Sequence, residues 1–184
     1  MRIRSAIGVA LPAILAAVSA GCAGCSGGAG GQGDSAAATR PSDAQRTYPL
    51  SSLPTATVKI DGHAFRVWLA AEGDPQRPGA LQEGLMFVTP AEIADDQGML
   101  FVFNGEQVRS FWMLNTVTPL DIAFARANGT IVKTWQMPPR TLDTFSSVQP
   151  ARFALEVKQG TFARLGIQEG DRIEIPADLS AGMP

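Results

Sequence analysis

The stretch TVKIDGHAFRVWL, residues 57–69, decides the fold of this chain of 184 residues. Two runs that alternate apolar and polar side chains flank Asp61-Gly62, a pair that readily takes positive φ at both centres of a two-residue turn. This pattern predicts an antiparallel hairpin in which Val58 faces Phe65. One side of the hairpin is then apolar and belongs to a core.

Further short β segments with turn signals follow the hairpin. Asn128-Gly129 marks a second hairpin, and residues 161–165 have the pattern of a single helical turn. Seven or eight short strands with two or three short helices are typical of a compact sandwich or barrel. The sequence therefore predicts a mainly β domain over residues 54–176, followed by a C-terminal tail at 177–184.

The N-terminal end has a different composition. Arg2 and Arg4 precede an apolar run from Ala6 to Val18, and small residues follow. The run is shorter than the roughly 18 to 20 residues of a membrane-spanning helix. These features predict a secretory signal peptide at residues 1–21.

The motif SAGC, residues 19–22, resembles the lipobox of bacterial lipoproteins, whose cysteine is lipidated. The resemblance implies that Cys22 carries a lipid anchor, with simple secretion as the alternative. Ala23 stands where Asp would retain a lipoprotein at the inner membrane, so we expect an outer-membrane anchor on the periplasmic side of the bacterial cell envelope. Residues 22–53 are rich in small and polar side chains, which predicts a flexible tether.

Charge and motifs exclude several functions. Residues 1–21 contain two of the 15 basic side chains and none of the 17 acidic ones, so 13 basic and 17 acidic remain, a net charge of −4. An acidic chain offers no general attraction for nucleic acid. Both cysteines, Cys22 and Cys25, precede the domain, and its lone histidine is His63, so the pattern predicts neither a metal site nor a cofactor.

The candidate functional residues lie in RSFWMLNTVTPLDIAF, residues 109–124. Trp112 is followed by Asn115, Thr116 and Asp121, so a large ring is close in sequence to amide, hydroxyl and carboxylate groups. These side chains either fasten an irregular turn by hydrogen bonds to the backbone or form a shallow site. Rings beside such groups suit a neutral polar ligand such as a glycan, and a protein partner is also possible.

An enzymatic alternative depends on carboxylates. Glu83, Asp121 and Glu156 include pairs that would suit a hydrolase acting on an envelope polymer. The sequence contains no nucleophile elbow, phosphate-binding loop or Cys-His constellation. We therefore favour non-catalytic binding, with Glu83 as a further candidate binding residue.

Five ordered blocks resemble the bacterial and archaeal family known as domain of unknown function 192. The blocks are GLM at 84–86, GMLFVF at 98–103, SFWMLNT at 110–116, PLDIAF at 119–124 and ARFALEV at 151–157. The resemblance covers roughly residues 55–176. It implies a compact, jelly-roll-like β fold, often exported, without an established activity.

The chain departs from the family pattern at its basic positions. Glu83, Val88 and Leu114 stand where the resemblance leads us to expect Arg, Arg and Lys. A cationic pocket at these positions would need another basic residue. The candidates to replace them are Arg109, Arg140 and Arg152.

Overall fold

The structure, a computed structural model, describes residues 40–180. The predicted signal peptide, Cys22 and residues 23–39 of the predicted tether lie outside this range. Nine strands are found within it: β1 Thr55–Ile60, β2 His63–Ala71, β3 Gln97–Gln107, β4 Ser110–Phe111, β5 Leu120–Ala125, β6 Ile131–Met137, β7 Phe145–Ser146, β8 Ala151–Lys158 and β9 Ile173–Glu174. The α-helices in the same range are α1 Ala80–Glu83, α2 Thr161–Leu165 and α3 Ala177–Ser180, and 3-10 helices span Pro41–Ala44, Leu50–Ser52 and Pro90–Glu92.

Seven strands form one curled sheet in the order β6-β5-β8-β3-β2-β1-β9. Only the pairing of β2 with β3 is parallel. β4 and β7 form a separate two-stranded sheet. The predicted hairpin is confirmed, since Val58 pairs with Phe65. The mainly β fold with short helices is likewise confirmed.

The two edges of the curled sheet approach each other beside the second predicted hairpin turn. Thr130 and Arg172 form an isolated antiparallel bridge there. Gly129 has φ of +85°, and a Cβ at this position would collide with the carbonyl oxygen of Ile173. Only glycine fits both the left-handed backbone and the close approach. The Asn128-Gly129 turn thus helps to curl the sheet as well as to reverse the chain.

The sheet buries side chains on both faces. On the face that we call the α2 face, Phe65, Leu155 and Val157 pack with Phe162 of α2. On the opposite face, which we call the cavity face, another apolar cluster forms: Leu50, Trp68, Leu85, Met99, Phe101, Phe103, Ile122 and Phe124. Because side chains alternate along a strand, adjacent residues of β5 and β8 point to different faces.

Residues 40–53, here called the strap, correct the predicted extent of the tether. The sequence predicts flexibility up to residue 53, whereas the strap packs on the cavity face. Leu50 is fully buried and Leu53 almost so. The buried area of two leucines offsets part of the ordering entropy. Leu179 of α3 is buried on the α2 face, so the predicted C-terminal tail also begins with a packed segment.

None of the helices between residues 40 and 180 combines the length and the apolar character that crossing a membrane requires.

Candidate functional site

A cavity of about 290 Å³ opens on the cavity face of the sheet. One wall is formed by residues 81–86, which include the end of α1 and the turn after it. The other wall comes from residues 108–112 and Thr116. Phe101 and Phe103 of β3 and Glu156 of β8 contribute from the sheet. The cavity is at the small end of the range typical of ligand pockets.

Glu156 is the most unusual residue of this cavity. It lies in a central strand, in register with Met99 of β3 and Ile122 of β5, and only 4% of its surface is exposed. No residue of the described range 40–180 forms a hydrogen bond or an ion pair with its carboxyl group. Burial raises the pKa of Glu156 to about 8. At neutral pH the side chain is therefore mainly an uncharged acid, which is both a donor and an acceptor.

Aromatic rings surround the sheet side of the cavity. The ring of Phe111 meets Phe101 edge to face, with centroids 4.8 Å apart. Phe124 and Phe103 lie 5.5 Å and 6.4 Å from Phe111 in similar geometry. These edge-to-face contacts fix the ring of Phe111 between β3 and β5. Glu156 lines the same cavity as Phe101, Phe103 and Phe111.

Three of the predicted binding residues line the cavity. The first, Trp112, is 45% exposed. Thr116 lines the wall and is buried. Glu83 lines the opposite wall. The structure therefore brings together side chains that are 33 positions apart in sequence, and their role in binding remains a prediction.

Asn115 forms the turn between Trp112 and Thr116 and does not line the cavity. Its φ of +57° is in the left-handed region, which asparagine tolerates well. Its carbonyl oxygen accepts the Phe87 N–H at 2.9 Å, and the Thr116 carbonyl accepts the Arg140 N–H at the same distance. Both bonds are made by main-chain carbonyl groups, so the predicted role of the Asn115 side chain stays a prediction.

Asp121 lies on the α2 face, away from the cavity. It is buried, with 1% exposure, and its Oδ2 accepts the N–H of Phe162 in α2 at 3.0 Å. Burial raises the pKa of Asp121, while backbone hydrogen bonds from Phe162, Gly160 and Thr161 oppose the shift. Asp121 fastens α2 to the sheet and does not belong to the predicted site around Trp112.

Glu83 is held by the strap. Its Oε1 accepts the N–H of Thr47 at 2.6 Å, and its Oε2 accepts the N–H of Tyr48 at 3.1 Å. Arg46 Nη2 lies 3.6 Å from the same Oε2. The carboxylate of Glu83 is therefore already occupied by donors of the strap.

Arg46 is a residue that the sequence reasoning missed. Its Nη1 donates to the carbonyl oxygens of Gly84 and Met86, each at 2.9 Å, so it braces the wall of the cavity. Burial lowers the pKa of Arg46, although Glu83, Asp43 and Glu92 act in the opposite direction. The only sequence signal was two arginines, Arg40 and Arg46, in a segment of small and polar residues, and nothing in that pattern indicates packing.

The basic residues proposed as replacements lie in different places. Only Arg109 lines the cavity. Its guanidinium lies 4.0 Å from the centre of the Phe103 ring, and its Nη1 is 3.6 Å from Glu72. Arg140 is exposed, and Arg152 donates to the carbonyl oxygen of Phe103. The basic side chain that contacts the GLM block is Arg46 from the strap.

A metal centre has no support in the described part of the chain. Within residues 40–180, no group of three or more His, Cys, Asp or Glu side chains is arranged to hold an ion. The chemistry of the cavity rests on the carboxyl group of Glu156, the hydroxyl of Thr116 and the aromatic rings.

The model of the family described as DUF192, uncharacterized ACR, matches residues 56–175 of this chain. The chain belongs to this family. The matched range contains Glu156 and Trp112 of the cavity and starts after the strap, which contains Arg46.

Two solved structures resemble this member of DUF192. A Novosphingobium aromaticivorans protein of unknown function is 34% identical, with a TM-score of 0.61, and the match covers 70% of this chain and 90% of that one. A Sinorhizobium meliloti protein named as a candidate transcription regulator is 31% identical, with a TM-score of 0.59, over 66% of this chain and 94% of that one. No curated protein matches the chain.

Proposed function

We propose that this DUF192 protein is a non-catalytic binding domain, tethered in the bacterial cell envelope, whose cavity receives a polar ligand. The observation that carries the proposal is the unpartnered carboxyl group of Glu156, which lines a cavity beside the exposed ring of Trp112. A hydrogen bond from a ligand to this carboxyl group would contribute about 0.5 to 1.5 kcal/mol net.

The envelope part of the proposal is supported by the N-terminal sequence. The signal peptide pattern over residues 1–21 and the lipobox-like Cys22 predict export and a lipid anchor. About 17 residues then separate Cys22 from the strap at Arg40. A flexible segment of this length reaches roughly 5 to 6 Å × √17, or about 20 to 25 Å. A lipid anchor at Cys22 would then keep the start of the strap near a membrane surface.

A hydrolase is the second candidate, because Glu83 and Glu156 line the same cavity. A glycoside hydrolase needs one carboxylic acid and one free carboxylate. Glu156 suits the acid, since its pKa is about 8. Both oxygens of Glu83, however, accept backbone hydrogen bonds from the strap. A carboxylate so engaged is a poor nucleophile or base, and binding without catalysis is the better account.

A protein partner would meet the rim of the cavity. Five large apolar side chains are exposed within the described residues: Val108, Trp112, Trp135, Leu142 and Val148. Four of them lie within three residues of β4 or β7 in sequence. The fifth, Trp135, contacts β7, because its ring N–H donates to the carbonyl oxygen of Ser146 and its ring packs against Phe145. Exposed apolar side chains grouped in this way are typical of interaction surfaces.

Gene regulation through direct DNA binding receives no support from this chain. The name of the Sinorhizobium meliloti protein suggests a transcription regulator, but a net charge of −4 without the signal peptide disfavours a nucleic-acid partner.

The binding proposal is tested with two tryptophan variants and a panel of neutral, amine and carboxylate small molecules. We expect a compound of the panel to raise the Tm of the wild-type domain. Trp112→Ala should weaken that binding at least about tenfold, or roughly 1.4 kcal/mol, because the ring lines the cavity. Trp135→Ala is the matched control, since Trp135 is 38% exposed but lies outside the cavity. Equal losses in both variants, or none in either, would contradict the proposal.

A further inference from the structure

We infer that the cavity takes the uncharged ring of a sugar, which presents a hydroxyl group to Glu156 and an apolar face to the aromatic wall. This inference rests on the proposed binding function and adds the class of ligand. It also excludes charged sugars as preferred ligands. Three features of the cavity support it: the chemistry of Glu156, the pairing of the other charges and the size of the space.

The chemistry of Glu156 favours a group that both accepts and donates. With a pKa of about 8, caused by burial, the side chain is a neutral acid at pH 6 to 7. Its O–H needs an acceptor and its carbonyl oxygen a donor. A hydroxyl group of a sugar meets both needs at once. A cation would instead require the buried carboxyl group of Glu156 to ionise, which adds the desolvation of two charges.

The other charged side chains of the cavity are compensated within the protein. Glu83 faces Arg46 and two N–H groups of the strap. Arg109 faces Glu72, donates to the carbonyl oxygen of Gly105 and covers the ring of Phe103. Both charges are therefore opposed within the protein, although Nε of Arg109 has no hydrogen-bond partner within residues 40–180 and could donate to a neutral acceptor. A charged ligand would have to be desolvated without a compensating partner.

The size and the walls of the cavity fit one sugar ring. About 290 Å³ is room for roughly ten water molecules at about 30 Å³ each. A compact ligand with about that number of non-hydrogen atoms fills it. Phe111 and Trp112 provide apolar surface on one wall, against which the C–H face of a sugar ring can pack. Thr116 also lines the cavity, and its hydroxyl donates to the carbonyl oxygen of Leu114 at 3.3 Å.

The test uses three sugars that share a ring and differ in charge: glucose, glucosamine and glucuronate. Affinities are measured at pH 6 by NMR titration, with Trp112→Ala used to confirm the site. We expect glucose to bind at least about tenfold more tightly than the cation glucosamine or the anion glucuronate. Between pH 6 and pH 9 the neutral fraction of Glu156 falls to about one tenth, so glucose affinity should fall about tenfold.

Two variants of Glu156 separate hydrogen bonding from shape. Glu156→Gln keeps a donor and an acceptor, so glucose should bind within about threefold of wild type at pH 6 and lose its pH dependence. Glu156→Leu fills a similar volume without polar atoms and should weaken glucose binding at least about tenfold. Circular dichroism confirms that both variants are folded. Loss of glucose binding in Glu156→Gln, or a pH dependence that survives it, overturns the inference.

The outcomes distinguish the inference from the proposed function. Tighter binding of glucosamine or glucuronate than of glucose would overturn the neutral-sugar inference and leave a binding cavity in place. The same holds if no sugar binds while another compound of the wider panel does. Failure of every compound in both sets would overturn the inference and the proposed function together.

Discussion

Asp121 and Glu156 are two buried acids on neighbouring strands of one sheet, and they have opposite surroundings. Asp121 of β5 pairs with Val157, and Glu156 of β8 pairs with Ile122. Asp121 accepts the N–H of Phe162 on the α2 face through its Oδ2, while its buried Oδ1 has no hydrogen-bond partner within residues 40–180. On the cavity face, Glu156 has no partner within the described residues. The comparison shows that burial alone does not single out a functional acid, and that a buried acid lining a cavity without a hydrogen-bond partner is the better candidate.

The largest predicted effect concerns the pH dependence of stability that Glu156 causes. Its folded pKa of about 8 exceeds its ordinary value of 4.5, so the folded protein keeps a proton that the unfolded chain loses above pH 4.5. The contribution of Glu156 to stability is fully present below pH 4.5 and is lost as the pH rises through 8. The loss is on the order of 4 to 5 kcal/mol.

Glu156→Gln measures this contribution. Urea unfolding at pH 5 and pH 9 should show that the variant gains several kcal/mol relative to wild type between the two values, because glutamine does not ionise. Asp121 is present in both proteins, so its own titration cancels in the comparison. Parallel pH profiles for the two proteins would mean that Glu156 is solvated or paired, and its contrast with Asp121 would disappear.

Sequence patterns predicted the β framework but not the role of each carboxylate. The Asp61-Gly62 turn and the alternation around it determine which side chains of β1 and β2 share a face, because both are local properties. Asp121 and Glu156 each occur within an apolar strand, so the two look alike in sequence. Their difference arises from α2, which covers one face, and from the loops that leave a cavity on the other. Such long-range packing has no local signature.

The strap illustrates a second limit of local reasoning. Its composition resembles that of a linker, and Arg46 is surrounded by polar and small residues. Its packing depends on carbonyl oxygens of Gly84 and Met86, about 40 residues away in sequence. The family match begins only at residue 56, so the family pattern does not describe the strap either. Predicting it would require the positions of unpaired carbonyl groups in the folded domain.

The second prediction concerns Glu83, the other carboxylate discussed beside Asp121 and Glu156. Its hydrogen-bond donors come from the strap. Arg46→Met keeps the apolar part of the side chain and removes the guanidinium. It leaves Glu83 and the carbonyl oxygens of Gly84 and Met86 without their charged donor. We expect the free energy of unfolding to fall by about 3 kcal/mol, as is typical when one member of a buried pair is removed, measured by urea unfolding at pH 7.

A control variant tests whether any substitution in the strap lowers the free energy of unfolding, or only the loss of the Arg46 guanidinium. Gln45→Met changes the exposed neighbour of Arg46 and should alter stability by less than about 0.5 kcal/mol. If Arg46→Met were equally mild, the guanidinium would contribute little to stability, and Glu83 would be held mainly by the N–H groups of Thr47 and Tyr48.

The smallest change in the free energy of unfolding is expected for substitutions of Asp121. At pH 9 this change has the opposite sign to that of Glu156→Gln. Asp121→Ala leaves the buried N–H of Phe162 without its acceptor and should lower the free energy of unfolding by about 2 kcal/mol. Asp121→Asn keeps one oxygen for that N–H and should cost less. At pH 9, Glu156→Gln stabilises the protein, whereas both Asp121 variants destabilise it.

Neither Asp121 variant should change glucose affinity, since Asp121 lies on the α2 face. An effect on binding would show that the two faces are coupled through β5 and β8, and Asp121 would then belong to the site after all.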